Sequence, residues 1–136
     1  MQLKGIEMGS QYGFGTTLHI PYEAAIPLVR GVLQAESFGV LTEIDVCQTL
    51  HDKLGAEIEP YLILGACNPV LANRALEQEI GLLLPCNVVI RASADGFCVE
   101  IADPEAMLGI AGNEQLDAIT EEAKECLQRV IAALSA

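Results

Sequence analysis

The stretch "LLLPCNVVIRASADGFCVEIAD", Leu82–Asp103, decides the fold. It holds two apolar runs separated by "SADG". The runs "LLLPCNVVIRA" and "FCVEIAD" are rich in β-branched and aromatic residues and read as strands. The Asp95-Gly96 pair between them is a strong hairpin signal, because both residue types tolerate the backbone angles of tight turns. So short a turn can join only antiparallel neighbours. One antiparallel pair is therefore fixed, and the rest of the chain has to be placed around it.

After the hairpin, "DPEAML" reads as one helical turn capped by Asp103, with Pro104 at its start. Asn113 caps a long final helix. Its Leu116, Ile119, Ala123, Cys126, Leu127, Val130 and Leu134 form one apolar stripe. Before the hairpin, "TTLHI" (Thr16–Ile20) reads as a strand. "YEAAIPLVRGVLQAE" has apolar residues at helical spacing, but Pro27 predicts a kink or a later start. "FGVLTEI" (Phe38–Ile44) is a second strand. It leads into a helix that Asp45 caps and Gly55 stops. "PYLILGA" (Pro60–Ala66) is a third strand. It runs into "NPVLANRALEQE", where Asn68 accepts backbone N–H bonds and Pro69 fits the first helical position.

The order is β-α-β-α-β-α-β-β-α. There is no dinucleotide-binding glycine fingerprint and no phosphate-binding loop. With the closing hairpin, this favours an α+β fold over a doubly wound α/β one. The expected architecture is an antiparallel sheet of about five strands packed against helices, the last of them long.

The 136 residues suit one domain, 1–136, with about residues 1–11 as a weakly ordered N-terminal segment. Half of the residues are apolar, which excludes a disordered chain. No apolar run reaches the ~20 residues of a membrane helix, and "MQLKGIEMGSQYGFG" lacks the apolar core of a signal peptide. The expectation is a cytoplasmic protein with no membrane partner. A net charge of −12 repels phosphate backbones, so nucleic acid is excluded as a partner. Five cysteines, an odd count, argue against a disulfide framework, and no Cys-x-x-Cys is present.

The candidate chemistry centres on two Cys-Asn pairs. Cys67-Asn68-Pro69 and Pro85-Cys86-Asn87 echo each other nineteen residues apart. Cys67 lies just before a helix cap, where the helix dipole favours a thiolate nucleophile. The simpler reading is a small buried apolar residue in a tight strand-to-helix corner. Cys86 opens a strand behind a proline, which suits a first strand position. If the two strands are neighbours, both thiols share one end of the sheet as a redox pair, with Asn68 and Asn87 supplying hydrogen bonds. Asn87 has no structural explanation in the sequence.

Other candidates are weaker. Cys47 and His51, spaced i, i+4, can grip a metal together with Cys67 and Cys86, but the overall spacing matches no zinc motif. No metal and no cofactor is therefore expected. Glu43 and Asp45 point to one face of a strand as a paired-carboxylate site. The alternative has Asp45 as a helix cap and Glu43 paired with Arg74 or Lys53. Cys126 reads as core, Cys98 as strand packing and His19 as structural.

"FGVLTEIDV", "PYLILGACNP", "RAL", "IGLLLPCNVV" and "DPEAML" occur in this order along nearly the whole chain. In this the sequence resembles the family called domain of unknown function 302. The resemblance implies a TATA-binding-protein-like α+β domain with a curved antiparallel sheet, and pairing as a homodimer. It marks Glu43, Asp45, Cys67, Asn68, Pro69, Arg74, Pro85, Cys86 and Asn87 as signature positions. It carries no established reaction.

Three functions remain. The leading one is a thiol-dependent redox or sulfur-handling protein using Cys67 and Cys86. The alternative is a non-catalytic small-ligand-binding or dimeric interaction domain, with Glu43, Asp45, Asn68, Arg74 and Asn87 as ligand-binding candidates. The second alternative is a metal-binding protein. No serine nucleophile motif or catalytic histidine context supports a hydrolase.

Overall fold

A computed structural model describes residues 7–135 of the chain. Two strands lead, β1 (Glu7–Ser10) and β2 (Gly13–Leu18), followed by helix α1 (Tyr22–Ala35). Strand β3 (Gly39–Asp45), helix α2 (Val46–Leu54), strand β4 (Tyr61–Cys67) and helix α3 (Pro69–Leu76) come next. The hairpin strands β5 (Cys86–Ser93) and β6 (Gly96–Ala102) then precede α4 (Pro104–Leu108) and α5 (Asp117–Leu134). Short 3-10 turns occupy Gly81–Leu83, Gly109–Ala111 and Glu114–Leu116.

Among the described residues, the strands form one six-stranded sheet in the order β1-β2-β6-β5-β4-β3, every pair antiparallel. The expected α+β class and the hairpin at its centre hold. One strand more than expected is present, because "EMGS" pairs with the start of β2. The expected N-terminal segment, about residues 1–11, lies partly outside the described residues.

Local chemistry explains the element ends. Asp45 accepts from the Gln48 N–H at 2.9 Å, and Gly55 ends α2 with φ of 68°. Asn68 Oδ1 accepts from the N–H groups of Val70 and Leu71 at 3.1 and 3.2 Å. Asp103 accepts from the Glu105 N–H at 2.9 Å. Asn113 caps the 3-10 turn before α5 rather than α5 itself. Helix α1 runs unbroken through Pro27. Pro27 is exposed, so the Glu23 carbonyl that it leaves unpaired faces the solvent side.

The hairpin differs from its expected turn. Ser93 pairs with Gly96, so Ala94 and Asp95 make the loop. Gly96 is needed for another reason. Its φ is +155°, and a Cβ there would lie 2.2 Å from the Leu18 carbonyl oxygen. The glycine lets β6 pass close to β2. His19 Nδ1 contacts the Asp95 carbonyl at 2.8 Å, which ties β2 to this turn.

The main core lies between one sheet face and two helices. Leu62, Leu64, Val88, Ile90, Val99 and Ile101 meet Ala25, Val29 and Leu33 of α1 and Leu127, Val130 and Ile131 of α5. All of these are at most 2% exposed. A smaller cluster joins α3, α4 and the start of α5 through Leu71, Ala75, Ile80, Leu108, Leu116 and Ile119. The seam between the two clusters is where the Cys-Asn pairs sit.

Candidate functional site

Strand pairing brings the two motifs together. β4 and β5 are antiparallel neighbours, with Ala66 opposite Cys86 and Gly65 opposite Asn87. The end at which β4 leaves the sheet is therefore the end at which β5 enters it. Cys67, Asn68, Cys86 and Asn87 all line one pocket at this end. Its volume is ≈ 80 Å³. For scale, an apolar cavity of about 150 Å³ takes up benzene.

The pocket is built mostly from apolar side chains. Phe38, Leu71, Ala75, Ile80, Leu108 and Leu127 form its depth, and Met107 of α4 adds a thioether. Polar groups are few. Asn68 commits Oδ1 to the helix cap, which leaves its Nδ2 donors for a ligand. Asn87 is exposed. The buried Asp103 lies beyond Cys86, held by the Lys124 ammonium at 3.2 Å.

The thiols are arranged against ionisation. Burial pushes the Cys86 thiol up to about 12, and the nearby Asp103 carboxylate and Cys67 add to the rise. The Cys86 sulfur donates to the Ala102 carbonyl at 3.6 Å. Burial also raises the Cys67 thiol. The expected dipole effect at α3 does not overcome desolvation at this position. Both cysteines are free thiols here.

The other candidates are dispersed. Asp45 pairs with Leu62, five residues up β4 from Cys67, so it stands roughly 17 Å away along the strand. Glu43 pairs with Arg30 of α1, not with Arg74 or Lys53. Arg74 instead bonds Glu122 of α5 at 3.0 Å. Glu43 and Asp45 remain together beside Tyr22. Burial, and then these two carboxylates, raise the Tyr22 hydroxyl pKa. None of Glu43, Asp45 and Arg74 lines the Cys-Asn pocket.

The proposed four-ligand metal set does not assemble. Cys47 and His51 line a separate groove at α2, and the Cys47 thiol donates to the Ile58 carbonyl at 3.3 Å. Among the described residues, no three His, Cys, Asp or Glu side chains are grouped to hold a metal ion. Cys126 is half-buried and packs against the main core, and its sulfur accepts from Arg129 at 3.2 Å. Met107 and Phe38 also line the pocket, and the sequence does not mark them as site residues. They are apolar, so their only sequence signal was membership of strand and helix patterns.

The family described as Domain of unknown function DUF302 matches residues 14–134. A solved structure of similar fold is the crystal structure of the uncharacterized conserved protein DUF302 from Bacillus stearothermophilus. It aligns with a TM-score of 0.84 and 23% identity, over 93% of this chain and 100% of that one. Among curated proteins, none matches the chain significantly. No helix among the described residues is long and apolar enough to cross a membrane.

Proposed function

The chain belongs to the DUF302 family, and from that premise we propose that it is a non-catalytic small-ligand-binding domain whose site is the Cys-Asn pocket. One observation carries the reading. Both signature Cys-Asn pairs, from separate segments, line the same apolar pocket. A pocket of this size and polarity selects a compact, weakly hydrated ligand, because a strongly hydrated one would lose its water without replacement. Asn68 supplies the donors that orient it.

The thiol-dependent reading rests on the same convergence. It requires a thiolate, and burial disfavours the thiolate at both Cys67 and Cys86. It is therefore second to ligand binding. A homodimer fits the uncovered face of the sheet, where Tyr61, Ile63 and Val89 are half-buried. The charged pair there, Arg91 and Glu100, is bonded at 2.7 Å, so two acidic chains would meet on a neutralised surface.

Amide NMR shifts under dissolved xenon and n-butanol test the pocket. Saturable shifts should cluster at Ala66, Cys67, Leu71 and Cys86. Ala72→Leu, which fills the pocket from α3, should remove them while its thermal melt stays cooperative. Shifts spread over the surface, or unaffected by Ala72→Leu, would overturn the reading.

A further inference from the structure

We propose that segment 77–85 is a gate to the Cys-Asn pocket, hinged at Glu79 and latched by Gln78 on Asn113, and that it admits one short uncharged alkyl ligand. The proposal rests on the ligand-binding reading and adds the ligand's class and its way in.

Of the residues that line the pocket, only Pro85 and Asn87 are exposed. The mouth therefore lies where segment 77–85 runs into β5. Ile80, Leu83 and Leu84 of the same segment also line the pocket. One short connection thus supplies both a wall of the pocket and the rim of its mouth.

This connection is tied loosely to the rest of the fold. It joins α3 to β5 and belongs to no strand of the sheet. Its backbone bonds are local: the N–H groups of Gln78, Glu79, Leu83 and Leu84 donate to Ala75, Leu76, Ile80 and Gly81. It can swing as a unit without breaking a ladder bond. Two contacts hold it shut. Ile80 is 2% exposed and packs with Leu71 and Ala75 in the smaller cluster. Asn113, which caps the 3-10 turn before α5, donates from Nδ2 to Gln78 Oε1 at 2.7 Å. Between these two contacts lies Glu79, with φ of 59°, a left-handed conformation that strains a side chain. A strained residue between a latch and a buried anchor is where the chain turns most easily.

The lining sets the ligand's class. No carboxylate, imidazole or basic side chain lines the pocket, so a charged group inside would lose its water without gaining a counter-ion. Glu77 and Glu79 of the gate are exposed and repel anions on approach. The volume of ≈ 80 Å³ is about half that of a cavity that takes up benzene, which suits an alkyl chain of about three or four carbons. A hydroxyl or carbonyl at the end of such a chain stays at the mouth, in reach of water.

The test titrates the full chain with n-butanol and follows the Ala66, Leu71 and Cys86 amides by relaxation-dispersion NMR, which gives association and dissociation rates. Gln78→Ala removes the latch and should raise both rates about fivefold, the weight of one ordinary hydrogen bond. Glu79→Gly relieves the hinge in the closed gate and should lower both about threefold. Kd should stay within about twofold in each variant, because the gate is closed in both the free and the bound chain. Butyrate and n-butylammonium should give no saturable shift at these amides. Neither Gln78 nor Glu79 is buried, so both variants should melt cooperatively, as the parent does. Rates that ignore both variants, or a changed Kd with unchanged rates, make segment 77–85 a fixed wall and overturn the gate. Binding of butyrate or n-butylammonium as tight as that of n-butanol overturns the uncharged class. In either case saturable n-butanol shifts leave the ligand-binding reading standing. If n-butanol gives no saturable shift, the reading and the gate fall together.

Discussion

Cys86 should be close to inert toward alkylation in the folded chain. Its thiol is pushed from 9.0 up to about 12, chiefly by burial and then by Asp103 and Cys67. At pH 8 a thiol with that pKa is ionised to about one part in 10⁴, against about one in ten for the unfolded chain. Since only the thiolate attacks, iodoacetamide should label Cys86 about 1,000-fold more slowly in the folded chain than in urea. The same shift couples to stability. The folded pKa is raised, so below pH 9 both states hold the proton and the contribution is complete. Between pH 9 and about 12 only the unfolded chain sheds it, and stability falls by ~1.4 kcal/mol per pH unit, about 4 kcal/mol in all. Peptide mapping of labelled protein gives the rate. Urea unfolding at pH 8 and pH 10, compared with Cys86→Ala, isolates the stability effect from other titrating groups. Labelling at pH 8 within tenfold of the unfolded rate would refute the reasoning. It would also revive Cys86 as a working nucleophile.

Two further perturbations act on the chain around the site. Asn68→Ala should cost about 1 kcal/mol in urea unfolding, since two N–H groups of α3 lose their acceptor; Asn68→Asp should recover most of it. Ser37→Gly should raise stability by roughly 0.5–1 kcal/mol in thermal melts, because Ser37 is exposed and sits at φ of 66° just after α1.

Much of the fold was legible because its signals are local. Asp45, Asn68 and Asp103 each cap a helix through an oxygen that reaches two or three residues along the chain. That relation is written in sequence order. Ser37 was missed for the opposite reason. The Phe38 N–H reaches the Leu33 carbonyl and the Ser37 N–H that of Gln34, and these bonds hold a non-glycine residue in a left-handed conformation. Gly96 was assigned to the turn, whereas its need comes from Leu18, far away in sequence. The sequence offers Arg74 or Lys53 as a partner for Glu43, yet α1 packs beside β3 and delivers Arg30. Each error concerns a partner fixed by packing across elements, which spacing along the chain does not encode.

The Cys-Asn echo itself follows from antiparallel pairing, but only in part. Pro69 lies just beyond β4 and Pro85 just before β5, so each proline sits outside the ladder, where no N–H is required. Neighbouring antiparallel strands place those two positions at the same sheet end, and a mirrored proline is the natural result. The asparagines do not mirror each other. Asn68 is outside β4 and caps α3, while Asn87 is inside β5, opposite Gly65. A Cβ on Gly65 would stand 2.9 Å from Pro85 Cγ, so the proline ring covers this glycine beside Asn87. Strand geometry thus accounts for the prolines, the glycine and Asn68. It leaves Cys67, Cys86 and the exposed amide of Asn87 unexplained, and Cys67, Cys86 and Asn87 all line the one apolar pocket. Folding alone would be served as well by alanine or valine at both cysteine positions, without a polarisable sulfur. What remains after the structural reasons are removed is a set of groups that line one pocket, and that residue of unexplained chemistry is the physical basis for reading the pocket as a binding site.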